Sequence, residues 1–239
     1  LRLGTLMFRS HYFGRMGGRR AYTFWVMLIL LLPLLWLNTA HHLDWGDDNA
    51  QYLSQAKSLL HGHGDAKAPM LALDRWTPSV RGGGFSLLVA PFMWLGQGSI
   101  FPFSLLLAIS LVVFGLLYRK YLGALFPPLT ATLMVLALCY NSTVLSMKPD
   151  ITPEFPFTAL SLVIILIVRG RRRGFVLVGA LAGLLVSFKV LGLAMLPALV
   201  LGWCWREDTL RSRLVASAKL VFTAMVVFLL VQRLSTGSF

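Results

Sequence analysis

The sequence has few charged residues, and acidic residues are especially scarce. Charged residues make up 13% of the 239 residues, with 9 Asp or Glu against 22 Lys or Arg. Soluble domains have about one quarter charged residues, so this composition excludes an ordinary soluble domain. A hydrophobic share of 57% and a mean hydropathy of +0.73 indicate instead an all-α, polytopic membrane protein.

Cysteine is scarce as well. Cys139 and Cys204 both lie in apolar stretches without metal-ligand spacing, so the sequence predicts small buried side chains rather than a metal or redox site. The net charge of +13 does not indicate nucleic-acid binding, because the basic residues form short clusters between apolar runs. We therefore expect membrane lipids and no nucleic acid as partners. The sequence does not identify a cofactor, and it allows a divalent metal without requiring one.

Apolar runs divide the chain into predicted membrane spans. A crossing needs roughly 20 apolar residues, and Tyr22 to Leu37 nearly reaches that length; its length favours an uncleaved span over a signal peptide. The later runs are Ile100 to Tyr118, Leu125 to Met147, Phe155 to Val168, Gly174 to Trp205 and Leu214 to Val231. The run from Gly174 is about twice one crossing in length, so we predict a short helical hairpin broken near Lys189 and Gly192, and about seven spans.

Basic clusters give the predicted orientation. By the positive-inside rule the cytoplasmic clusters are Arg15/Arg19/Arg20, Arg119/Lys120, Arg169/Arg171/Arg172/Arg173 and Arg206/Arg211/Arg213. The same topology leaves only Glu207 and Asp208 among the acids on the cytoplasmic side. The external acids are Asp44, Asp47, Asp48, Asp65, Asp74, Asp150 and Glu154. Any chemistry that uses carboxylates is therefore predicted at the external face.

The first external loop, residues 38–84, carries two adjacent acids at the start of a predicted surface helix over residues 48–60. Five apolar residues share one face of that helix and are expected to be buried near the membrane plane: Tyr52, Leu53, Ala56, Leu59 and Leu60. Asp48 with Gln51 fits a capping box. Asp47 would then precede the helix and be free to act as a general base.

Asp150 and Lys189 are further candidates for a site. Asp150 lies at the external start of a span, where the helix dipole alone would also favour a carboxylate. Lys189 lies inside an apolar run and must pair, snorkel or reach a polar cavity. Arg75 and Arg81 could contact a phosphate of a substrate or of the bilayer. We predict that Asp47, Asp150 and Lys189 converge on one externally open cavity within roughly 15 Å of one another.

Several motifs occur in a recognisable order. They are Gly46-Asp47-Asp48 with Tyr52, Gly84-Phe85-Ser86 in the run to Pro91, Lys148-Pro149-Asp150-Ile151, and Gly179 to Gly183 leading to Ser187-Phe188-Lys189. Over residues 22–205 the chain resembles polyprenyl-phosphate-sugar glycosyltransferases of the GT-C superfamily, of the protein mannosyltransferase and aminoarabinose transferase type. The resemblance implies one transmembrane module over residues 1–239, equivalent to the family's N-terminal part, with a further C-terminal part expected in a longer protein.

The resemblance also implies roles for individual residues. Asp47 corresponds to the family's acid that acts as base or orients the acceptor, Asp48 to the second acid of the pair, and Asp150 to the acid at the fourth span. Lys189 corresponds to the basic residue after the fifth span and would hold the lipid phosphate with Arg75, Arg81 and Tyr52. The implied reaction is inverting sugar transfer from a polyprenyl-phosphate donor to a glycan, lipid or protein at the external face of a bacterial plasma membrane. The alternative is a non-catalytic membrane subunit or a lipid-binding or transport protein.

Overall fold

The computed structural model describes residues 17–37, 47–60, 83–96, 99, 101–148, 152–170, 174–204, 207 and 209–236, and it is all-helical over these ranges. The α-helices are α1 (Gly17–Leu31), α2 (Asp47–Leu60), α3 (Gly84–Gly96), α4 (Phe101–Leu122), α5 (Pro128–Cys139), α6 (Ser142–Ser146), α7 (Glu154–Gly170), α8 (Phe175–Phe188), α9 (Met195–Cys204) and α10 (Leu210–Thr236). Short 3₁₀ helices follow α1 (Leu32–Leu35) and precede α9 (Val190–Ala194). The predicted all-α class is confirmed.

Two of the described helices are long and apolar enough to cross a membrane, judged by length and composition. They are α4 and residues 210–235 of α10. The other apolar helices have between 10 and 17 residues, which is shorter than the roughly 20 needed for one straight crossing. Helix length therefore does not confirm the predicted total of seven spans.

The predicted span from Leu125 to Met147 consists of two helices rather than one. Helix α5 begins at Pro128, a first-turn position where proline is tolerated, and ends at Cys139. The side chain of Asn141 then accepts a hydrogen bond from the backbone N–H of Thr143 at 2.9 Å and caps α6. Because such a cap starts a new helix, the apolar run is divided at Tyr140 and Asn141.

The predicted break near Lys189 and Gly192 is confirmed. Helix α8 ends at Phe188, and Lys189 has extended backbone angles, with φ −153° and ψ 132°. Gly192 then packs against the backbone of the last turn of α8, where an added Cβ would lie 2.8 Å from the nitrogen of Val186. Only a glycine permits this close approach, and it allows the chain to fold back on α8.

Close glycine contacts show that α8 and α10 run parallel. Gly179 lies against the carbonyl of Leu220, and Gly183 lies against the carbonyl of Ala224, so tightly that an added methyl group would overlap each oxygen. Small residues permit such approach between membrane helices. Since the two helices run in the same direction, the chain must return between Phe188 and Leu210, as the predicted hairpin requires.

The basic residues at the ends of α4 and α7 and at the start of α10 lie at one end of the bundle. The Arg169 guanidinium lies 5.6 Å from the centroid of the Tyr121 ring, so the C-terminal ends of α4 and α7 lie side by side. Helices α8 and α10 both start from this end, because the connection between α7 and α8 is short and α10 is parallel to α8. We call this the basic end, and it contains Arg119, Lys120, Arg169, Arg211 and Arg213.

Two groups of buried side chains form the core. The first comes mainly from α1 to α5 and includes Leu31, Phe85 and Leu111. The second comes from α7 to α10 and includes Leu185 and Leu220. The two halves meet along α4 and α7, which lie side by side at the basic end, and at the opposite end, where Gly84 of α3 contacts Ser187 in the last turn of α8.

Candidate functional site

An ion pair between Lys189 and Glu154 lies at the end of the bundle opposite the basic end. The Lys189 Nζ donates a hydrogen bond to Glu154 Oε1 at 2.6 Å. Glu154 is the first residue of α7 and Lys189 is the first residue after α8, so two helix ends fix the pair. The Lys189 side chain is 40% exposed and the Glu154 side chain is 31% exposed. A charged group from outside the chain can therefore approach this pair.

Three aromatic rings connect α2 to the break at Lys189. Tyr52 packs edge-on against Phe85, with ring centroids 4.8 Å apart and planes at 89°. Phe85 is fully buried and packs against Phe188 at 6.4 Å and 68°. Because Phe188 directly precedes Lys189, these rings bring α2, which begins with the two predicted acids, to the same end of the bundle as the ion pair.

Polar contacts fix the start of α3 in the same region. The Ser86 hydroxyl donates a hydrogen bond to Gln55 Oε1 at 2.7 Å, and the pair is buried. Gly84 lies so close to α8 that an added Cβ would be 2.6 Å from the Cβ of Ser187. Each residue of the Gly84-Phe85-Ser86 motif therefore makes a different contact, to α8, to the aromatic rings or to α2.

The predicted helix over residues 48–60 is confirmed, but its burial pattern differs from the prediction. Tyr52, Leu53 and Ala56 are buried as predicted, with exposures of 4%, 2% and 0%. The prediction is wrong for Leu60, which is 43% exposed, and Leu59 is only half-buried. The polar residues Ser54, Gln55 and Ser58 are buried instead, because α3 packs on a face of α2 that the apolar pattern left for water.

The predicted acids are described only in part. Helix α2 begins at Asp47, so Asp47 is its first residue and does not precede the helix as predicted. Both Asp47 and Asp48 belong to the first turn, where the helix dipole favours negative charge. Their side chains lie outside the described part of the structure, as do Asp150, Arg75 and Arg81. The convergence of Asp47, Asp150 and Lys189 stays a prediction.

The sequence interpretation gave no site role to two residues that the structure places at this end. One is Glu154, which it counted only as an external acid. The other is Lys148, which is 1% exposed and donates a hydrogen bond from Nζ to the carbonyl of Leu37. Burial lowers the pKa of Lys148 to about 8. This contact attaches the end of α1 to the segment that leads to Asp150 and α7.

An open apolar groove lies beside this region. It has a volume of about 390 Å³ and runs between α2, α3 and the end of α10, with Leu59, Leu87, Trp94 and Leu234 among its lining residues. Within the described side chains, no three His, Cys, Asp or Glu residues lie together in a way that could hold a metal ion. The described chemistry of this end is thus the Lys189–Glu154 ion pair, the buried ammonium of Lys148, buried aromatic rings and an apolar groove.

No family model, curated protein or solved structure matches this chain. The GT-C resemblance therefore rests on the motifs in the sequence.

Proposed function

We propose that this chain is the membrane module of an inverting glycosyltransferase that moves a sugar from a polyprenyl-phosphate donor to an acceptor at the external membrane face. The observation that carries the proposal is the helix break at Lys189. It places an ammonium group at the end of the bundle opposite the basic end, 2.6 Å from the first residue of α7. The rings of Phe188, Phe85 and Tyr52 connect it to the helix that Asp47 and Asp48 begin.

Membrane embedding is supported by the apolar surface of the helices. Along α10, for example, Phe222, Met225 and Leu230 are each at least 51% exposed. Exposed apolar area of this extent is favourable in lipid and unfavourable in water. We propose seven crossings: α1, α4, α5 with α6, α7, α8, α9 and α10. The parallel pair of α8 and α10 supports the hairpin that this topology needs.

The proposed chemistry divides between carboxylates and cations. Transfer from a lipid phosphate needs a base that removes a proton from the acceptor hydroxyl or amine, and cations that stabilise the departing phosphate. We assign the base to Asp47, with Asp48 and Asp150 orienting the acceptor. Lys189 holds the phosphate, assisted by Arg75 or Arg81 from the first external loop, while Tyr52 positions the start of α2. A single displacement at the anomeric carbon inverts its configuration.

The proposal is tested by measuring release of polyprenyl phosphate from a panel of polyprenyl-phosphate pentoses and hexoses, with the protein in native membranes that supply acceptors. We expect Asp47→Asn to lower turnover by about 10²- to 10⁴-fold, as removal of a general base does. Protein abundance should be unchanged. Asp208→Asn, the same change at the predicted cytoplasmic side, is the matched control and should retain full turnover. Equal turnover in both variants would exclude Asp47 as the base.

A second candidate is a non-catalytic, lipid-binding membrane subunit. The observation that favours it is the Glu154–Lys189 pair itself, since the lysine already has a partner within the chain and needs no phosphate to be stabilised. For this function, no donor in the panel would be turned over, and Asp47→Asn would leave lipid binding intact.

A further inference from the structure

Glu154 is already paired with the Lys189 ammonium, which is the group that the proposed function assigns to phosphate binding. We propose that Glu154 is an internal counter-ion of Lys189 that the phosphate group of a lipid substrate displaces. This inference rests on the proposed function, because it takes Lys189 as the phosphate-binding cation. It makes Glu154 a positioning residue, which holds the lysine in place before the substrate arrives.

Neither helix end depends on the ion pair for its own structure. The first turn of α7 is formed by the Phe157 N–H, which donates to the Pro153 carbonyl at 2.7 Å. The last turn of α8 is completed by the Lys189 N–H, which donates to the Leu185 carbonyl at 3.1 Å. The two side chains can therefore separate while both backbones keep their hydrogen bonds.

The exposure of the pair suits exchange of one anion for another. With 40% and 31% of the side chains exposed, a ligand can reach the ammonium, and ion pairs of this kind add little net stability. The carboxylate nevertheless holds the ammonium at the helix break through the hydrogen bond of 2.6 Å, and so keeps it in position. The donor phosphate is a diester with one negative charge, and it becomes a monoester as the sugar leaves. A monoester carries more charge and more acceptor oxygens than a carboxylate, so the departing phosphate can replace Glu154.

The test measures binding of farnesyl phosphate to the full chain in phosphatidylcholine nanodiscs, so that bilayer phosphates are present throughout. Farnesol, which has the same tail without the phosphate, is the reference ligand. We expect Glu154→Gln to bind farnesyl phosphate about fivefold more tightly than the wild type, the gain from removing a competitor of this strength. Lys189→Met should lose the preference for farnesyl phosphate over farnesol.

Glu207→Gln is the matched control, because Glu207 is the other glutamate of the chain and lies just before α10, near the basic end. It should bind like the wild type. If the wild type prefers farnesyl phosphate but Glu154→Gln binds it equally or more weakly, the counter-ion role is wrong and the proposed function stands. If the wild type does not prefer farnesyl phosphate to farnesol, both proposals fail.

A second variant covers a failure of Glu154→Gln to fold. Glu154→Asp keeps the charge but shortens the side chain by one methylene group. The pair is therefore weakened, while the lysine still has a carboxylate nearby. Its affinity for farnesyl phosphate should lie above that of the wild type. An affinity equal to or below the wild-type value would overturn the counter-ion role.

Discussion

Helix α2 buries polar side chains, whereas helix α10 exposes large apolar ones. Helix α2 buries Ser54, Gln55 and Ser58, and its exposed Lys57 is the exception among residues 52–58. Helix α10 exposes large apolar side chains along its length, with Phe222 at 63% and Met225 at 51%. In a water-soluble bundle the apolar residues of α10 would be inside and the serines of α2 outside.

The difference indicates two different kinds of stabilisation. Helix α10 buries Leu220 and Ala224 against α8, where Gly179 and Gly183 permit close backbone approach, and its remaining apolar side chains are left for the proposed lipid contact. Helix α2 buries Leu53 and Ala56 in the first core, and its contacts with α3 include the Tyr52–Phe85 ring pair and the hydrogen bond between Ser86 and Gln55. Substitutions of the same residue type should therefore have different effects at the contacts that hold α2 and on the exposed face of α10.

The largest difference is expected for phenylalanine. Phe85→Ala should lower the free energy of unfolding by about 3–5 kcal/mol, because it removes the fully buried ring that connects α2 to α8. Phe222→Ala removes the same ring from an exposed position on α10, and it should change the value by about 0.5 kcal/mol or less. Denaturant titration of both variants in one detergent measures the contrast. Equal losses of unfolding free energy would contradict the exposed position of Phe222, because they would require its ring to be buried.

A smaller effect is expected from mirrored exchanges of Met and Lys, which have similar length. Met225→Lys places a charge near the middle of the exposed face of α10 and should disfavour membrane insertion by about 2.5–3.5 kcal/mol. Lys57→Met makes the reverse change on α2 and should leave insertion unaffected, since Lys57 is exposed and α2 is not proposed to cross the membrane. The inserted fraction in an in vitro translocation assay measures both. Normal insertion of Met225→Lys would contradict the lipid-facing assignment of α10.

The sequence predicted the elements whose cause is local. The class followed from the apolar runs, and the break at Lys189 followed from a charge and a glycine within a run that was too long for one span. The division between α5 and α6 was missed, because Leu125 to Met147 was treated as one crossing on its length, although Asn141, Ser142 and Thr143 interrupt its apolar pattern. The predicted start of α2 was late by one residue, because both Asp47 and Asp48 suit the first turn of a helix.

The site could be predicted only in part, because it is formed by contacts between distant segments. Lys189 was identified from its own unusual position, whereas its partner Glu154 is 35 residues away in sequence and looks like an ordinary first-turn acid. The burial of Gln55 depends on Ser86, which comes from another helix. The residue pattern of α2, taken alone, predicts that Gln55 faces water. The packing of α3 on this helix buries Gln55 instead.

The smallest effect is expected at the buried polar contact of α2. Ser86→Ala removes the hydroxyl that donates to Gln55 at 2.7 Å, and it should lower the free energy of unfolding by about 1 kcal/mol.

Ser110→Ala on α4 is the matched control, because the Ser110 hydroxyl donates to the carbonyl of Leu106 in its own helix and its loss leaves that carbonyl in the helix ladder. Thermal unfolding should therefore show a lower midpoint for Ser86→Ala than for Ser110→Ala. Hydrogen exchange should place the added opening in α2 and leave α10 unchanged, since the lost hydrogen bond joins Ser86 to Gln55 of α2. Equal protection of α2 in the two variants would show that this hydrogen bond does not contribute to holding the helix in place.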